Sequence, residues 1–121
     1  MMVCVTRQKT CERLIKIGQK LVTGQKDGAL KVVHVTKTGV NVLGNPDEGE
    51  ALEYLFQVSK QAGAEMTVLR SDNIVNTLLN FAKKNQITEI VMGESPDPHS
   101  SNSIIRNMEQ MLPGVKFNVI P

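Results

Sequence analysis

The apolar residues of this 121-residue chain switch repeatedly between strand-like and helix-like spacing, and that alternation limits the possible folds more than any other feature. The first strand is expected at about 2–6, "MVCVT", followed by a helix over about 10–23 with Leu14, Ile17, Gly18 and Leu21 on one face and Gly24 as its stop. A second strand follows at about 29–36, "ALKVVHVT", and then a loop holding Gly39 and Gly44. Asn45 as cap, Pro46 at the first helical position and Glu48 at capping-box spacing announce a second helix. It runs to about Gln61 with Leu52, Leu55, Phe56 and Ser59 on its apolar side. "AEMTVLR" is the third strand, and Ser71 or Asp72 caps a third helix that turns Ile74, Val75, Leu78 and Ala82 inward. "ITEIVMG" is the fourth strand. Ile104, Ile105, Met108, Met111 and Leu112 mark a fourth helix, ended by Pro113-Gly114 before the last strand, "VKFNVI".

Strict alternation of strand and helix predicts parallel strands joined by right-handed crossovers, with helices on both faces of the sheet. The expected fold class is a doubly wound α/β sheet of five parallel strands and four helices, and the length suits one domain over 1–121. Ligands of such sheets bind beyond the carboxyl ends of the strands, where the strand order reverses. If the first and fourth strands flank that point, Thr6-Arg7-Gln8 and Gly93-Glu94-Ser95 line the crevice.

Composition narrows the function classes. With 40% hydrophobic residues and no apolar run near the roughly 20 residues that a bilayer requires, the chain is expected to be globular and without a membrane insertion. No basic-then-apolar export signal opens it, so the expected compartment is the cytoplasm. Cys4 sits in an apolar run, and Cys11 opens a helix, where a thiol pKa can fall, making it a candidate reactive group beside the plainer reading of a small buried side chain. The two cysteines, His34 and His99 show no zinc-ligand spacing. Residues 1–40 carry eight Lys/Arg against two acids, and Arg13, Lys16 and Lys20 recur on one helical face. No aromatic residue is interleaved with them for stacking on bases, so a solvated face is favoured over a nucleic-acid surface.

Other functions built on this architecture fail on their residues. A phosphoacceptor receiver needs acids where Thr6 and Arg70-Ser71 stand, and a flavin-phosphate loop needs Gly and hydroxyls where "TRQKTC" stands. Neither a Walker A loop nor G-x-G-x-x-G follows any strand. His99, between Pro98 and Ser100, lacks an acid placed to orient it, and Glu94 with Asp97 is a weak metal pair, so no catalytic residue is assigned. His34 is expected to pack under a helix.

Four stretches carry a likeness to a known family: the opening strand with "ERLIKIGQKL", then "LKVVHV", then "ITEIVMG", and "NSIIRNMEQM" leading into "VKFNVIP". Over nearly its whole length the chain resembles the universal stress proteins. "VCV" followed by "CERLIK", and the brevity of the chain, are more similar to the version embedded in the potassium-sensing Kdp histidine kinase, so the chain reads as a stand-alone relative or as that domain of a larger kinase. The resemblance implies a Rossmann-like sheet in the order 3-2-1-4-5 and a nucleotide crevice between the first and fourth strands. Carried over position by position, the binding residues are Cys4, Thr6, Arg7, Val35, Met92, Gly93, Asn102 and Ser103.

ATP-binding members have Gly, two residues, Gly, nine residues, then Gly and Ser or Thr after the fourth strand, and an Asp ending the first. Here Gly93 keeps the first glycine, Pro96 takes the second, Asn102-Ser103 stands for the final pair with five residues between, and the Asp becomes Thr6. Glycines let main-chain amides approach phosphate oxygens. Pro96 and Pro98 remove two amide donors, and Glu94 and Asp97 add negative charge worth about 1 kcal/mol per close contact. The expected function is a non-enzymatic regulatory module in stress or potassium signalling that acts through protein partners and keeps a degenerate nucleotide site. The alternative is a true ATP- or cyclic-di-AMP-binding member with slow hydrolysis. No cofactor is required on the first reading; ATP, AMP or cyclic di-AMP are the ligands the resemblance implies. It also implies a homodimer through the last strand, 115–120, whose bare edge carries Val115, Phe117 and Val119, and partners such as a sensor kinase or other universal stress proteins.

Overall fold

The computed structural model describes residues 1–5, 8–22, 30–39, 41–93 and 101–120. Its strands are β1 (Met2–Cys4), β2 (Lys31–Thr36), β3 (Glu65–Arg70), β4 (Glu89–Gly93) and β5 (Lys116–Ile120), all parallel and ordered β3-β2-β1-β4-β5. The helices are α1 (Gln8–Val22), α2 (Glu48–Gln61), α3 (Ile74–Lys84) and α4 (Ser101–Met111), with one tight helical turn at Val42–Gly44. This is the doubly wound five-stranded sheet expected from the alternation. The chain winds one way through β1, β2 and β3, then returns to add β4 and β5 on the other side of β1.

The central strands are buried on both faces, as parallel strands covered by helices must be. Alternation sends Val3, Val5, Val32 and Val91 toward α1 and α2, and Met2, Cys4, Val33, Val35, Ile90 and Met92 toward α3 and α4. Gly18 lets α1 lie directly on the sheet, because a Cβ there would stand 2.5 Å from Val3 Cγ2. Among the described residues β1 pairs over Met2–Cys4, and the Val5 amide donates to Val33 O at 3.0 Å; the expected end of the strand at Thr6 lies outside the described residues. β2 begins at Lys31, after a buried Leu30.

Both predicted caps shift by one or two residues. Asp47, not Asn45, caps α2, its Oδ1 accepting the Glu50 amide at 3.1 Å, while Asn45 Oδ1 accepts from the Asp47 amide at 3.0 Å. Asp47 repeats the capping spacing with Glu50, and a carboxylate suits the positive end of a helix better than an amide does. Asn73 caps α3 through the Asn76 amide at 3.1 Å. Ser71 is used one step earlier, its Oγ accepting from the Asn73 amide.

The buried stripes are rotated from those the periodicity suggests. On α1, Cys11, Leu14, Ile15 and Gly18 are buried, Ile17 is half-buried and Leu21 is exposed. On α2, Ala51, Leu55 and Ser59 are buried, whereas Leu52 and Phe56 are 36% and 46% exposed. The cause is tertiary. Tyr54 and Val58 turn α2 toward the α1 side, and beyond Leu52 and Phe56 the sheet simply ends at β3. On α3, Leu78, Leu79 and Ala82 are buried with Ile74 and Val75 half-buried. On α4, Ile105 and Met108 are buried, as is Leu112 just beyond it, but Met111 is exposed; the Ile104 side chain lies outside the described residues.

Candidate functional site

The strand order reverses at β1 and β4, whose register sets Cys4 beside Met92 and leaves Gly93 as the last residue of β4. This is where a doubly wound sheet opens a crevice. A Cβ on Gly93 would stand 3.3 Å from Leu14 Cδ1, so the glycine keeps the end of β4 close under α1. The first turns of α1 at Gln8 and of α4 at Ser101 follow β1 and β4 in the chain, which gives the crevice two helix N-termini.

Of the expected site residues, Cys4, Met92 and Gly93 come together on neighbouring strands, and Val35 lies two residues beyond Val33, the β2 partner of Cys4. The side chains of Cys4, Val35 and Met92 are buried in the core under α3 and α4. They could therefore meet a crevice ligand only through the main chain. Asn102 and Ser103 lie in the first turn of α4, where their backbone is helical. Thr6 and Arg7, and the loop residues Glu94, Ser95, Pro96, Asp97, Pro98 and His99, lie outside the described residues.

Neither cysteine is poised to react. Burial pushes the Cys4 and Cys11 thiols up to about 12, with the Glu12 carboxylate adding to the effect on Cys11. The candidacy of Cys11 as an activated thiol is thereby overturned: its helix N-terminus is outweighed by desolvation inside the core.

A residue that sequence reasoning left in the background organises the crevice rim. His34 is buried, and it holds Val5 O through Nδ1 at 2.8 Å and the Leu43 amide through Nε2 at 3.1 Å. Since the Leu43 amide must donate, Nε2 is the acceptor and Nδ1 carries the proton, so the ring is neutral. Burial lowers its pKa below the usual 6.5; the bond to Val5 opposes this and the Arg70 charge reinforces it. Leu43 sits at φ +54°, a left-handed conformation costly for a branched residue, and the hydrogen bond its amide donates to His34 helps to hold it there. One imidazole thus ties the end of β1, the middle of β2 and the turn at 42–44 together. The signal was present in the sequence as a polar residue set between Val33 and Val35 in the middle of the strand.

Farther along the rim, Arg70 pairs with Glu48 at 2.7 Å and reaches Lys37 O at 3.4 Å. Thr36 Oγ1 is buried without a hydrogen-bond partner among the described residues. The outer face of α1 borders an open groove of about 550 Å³ whose described lining is Glu12, Arg13, Lys16, Ile17 and Lys20. Lys16 is paired with Glu12 at 2.9 Å, and no ring is available in that lining to stack on a base. Among the described residues no three His, Cys, Asp or Glu side chains gather to hold a metal, and no helix is long and apolar enough to cross a membrane.

No protein-family model matches this chain, and no curated protein matches it in sequence. Solved structures do match in shape. A protein of the universal stress protein family from Burkholderia pseudomallei superposes with a TM-score of 0.62 at 12% identity, over 99% of this chain and 94% of that one. The universal stress protein from Archaeoglobus fulgidus in complex with dAMP gives 0.61 at 17% identity, over 98% and 93% of the two chains. The chain has the fold of the universal stress proteins.

Proposed function

We propose that this chain is a regulatory module of the universal stress protein family, acting through protein partners in stress or potassium signalling rather than by catalysis. The observation that carries the reading is that every buried titratable group described near the crevice is committed to structure. Both nitrogens of His34 are bonded to main chain, and both cysteines are held as neutral thiols inside the core. Hydrolysis would need a base or an activated nucleophile with a free lone pair facing the crevice.

The crevice retains the place for a small nucleotide: Gly93 at the switch point with the two helix N-termini after β1 and β4. The dAMP complex of the Archaeoglobus protein supports a mononucleotide as its ligand class. The triphosphate is disfavoured by Pro96, Pro98, Glu94 and Asp97 in the sequence of the following loop. The partner is a second copy at β5, a sheet edge where Val119 is 37% exposed, or a sensor kinase of the Kdp type, and the module works in the cytoplasm.

Thermal shift with ATP, AMP and cyclic di-AMP, alongside an ATP hydrolysis assay, tests this. The expected result is no turnover, and either no shift or a shift with AMP alone. A rise of several degrees with ATP together with release of phosphate overturns it and establishes the ATP-binding alternative.

A further inference from the structure

We propose that the β3 edge of the sheet is a second docking surface, and that its occupant is β3 of another copy of this chain, paired antiparallel about a two-fold axis through Thr67. This surface lies at the opposite edge of the sheet from β5 and is independent of the crevice and its ligand.

The edge is built to pair. The Glu65 amide donates to Leu30 O and the Ser71 amide to Thr36 O, so alternate residues of β3 turn their main chain toward β2. The intervening Met66 and Val68 therefore direct theirs outward, where an edge strand presents groups that another strand can satisfy. β3 has no proline or bulge to discourage this, and Met66, Thr67, Val68 and Leu69 are all only half-buried. With the axis at Thr67, Met66 of each copy faces Val68 of the other and exchanges main-chain hydrogen bonds with it.

Helix α2 supplies the second half of the surface. Leu52 and Phe56 stand one turn apart on the flank that overhangs β3 and, at 36% and 46% exposure, are among the most exposed large apolar side chains described. Paired strands lie about 4.8 Å apart and packed helices about 10 Å apart, so joining two β3 edges brings the two α2 helices to ordinary packing distance. The two-fold makes them antiparallel. Leu52 of one copy then meets Phe56 of the other, and Lys60 in the last turn meets the end that carries Asp47 and Glu48, the latter also holding Arg70 of its own copy at 2.7 Å. That charge complementarity repeats on both sides of the axis, as an interface between identical copies requires.

Light scattering at micromolar concentration tests this on a Val119→Glu background, which silences pairing through β5. The expected mass is twice the chain's 13.3 kDa, falling to one chain when Phe56→Glu is added. A monomer with Val119→Glu alone, or a dimer that survives Phe56→Glu, overturns the proposal. Phe56→Glu alone reports separately on β5, because any dimer it leaves must use that edge. If the Val119 variant fails to fold, Thr67→Cys in the native chain serves instead. Thr67 facing its own copy is a non-hydrogen-bonded pair with Cα atoms about 4.5 Å apart, within disulfide reach, and the native thiols are buried. Mild oxidation should give a covalent dimer, and a chain that remains monomeric overturns the pairing.

Discussion

The two faces of the sheet are packed on different terms. Under α3 and α4 the interior consists of Met2, Cys4, Val33, Val35, Leu78, Leu79, Ala82, Ile87, Ile90, Met92, Ile105, Met108 and Leu112, without a hydrogen-bonded side chain among them. Under α1 and α2 the apolar core also takes in His34, Thr36 and Ser59, and it accepts a helix lying directly on a strand at Gly18. One face is held by volume alone. The other is held by volume together with a directional polar contact, and that contact fixes the rim of the crevice.

Under α3 and α4 volume carries the packing. Met108→Ala under α3 and α4 should cost about 2–5 kcal/mol in urea unfolding, with no change in how stability depends on pH. On the other face, Gly18→Ala forces a methyl into Val3 and Leu30 and should cost about 1–3 kcal/mol. A loss below the error of the measurement would show that α1 does not sit on the strand.

His34→Leu separates the faces by kind. It preserves volume but leaves the Leu43 amide and Val5 carbonyl unpaired, at about 1–3 kcal/mol. It should also flatten the pH profile. In the wild type His34 is neutral when folded with its pKa lowered from 6.5, so the unfolded chain binds the proton more readily. Stability is therefore complete above about pH 6.5 and falls as pH drops from there toward the lowered folded value. Melting temperatures from pH 8 to 5 should show that slope in the wild type and a shallower one in the variant. The smallest effects are local: Asp47→Ala and Asn73→Ala should each cost about 0.5–2 kcal/mol through lost capping, at similar size on both faces.

Much of the fold was legible because it is written in local spacing. Strand and helix periods placed all five strands and four helices, and the resemblance supplied the strand order that the structure shows. Cap positions slipped where two capping residues competed, as Asn45 did with Asp47, because the winner depends on backbone angles that neighbours set. Leu52 and Phe56 looked like core residues because spacing marks an apolar stripe without saying whether anything covers it. Of the expected site, Cys4, Met92 and Gly93 are adjacent as the strand order requires. The role of His34 could not be read, since its partners Val5 and Leu43 are main-chain groups with no side-chain signature and stand 29 and nine residues away.

The doubly wound sheet follows from local spacing, since the period of apolar residues is a property of each segment taken alone. Which flank of each helix is buried, which residue caps it, and the joining of three parts of the chain by one neutral imidazole are set by contacts between segments. Those outcomes depend on what lies across the gap, and at β3 nothing in the described chain does, which is why its apolar flank stays open.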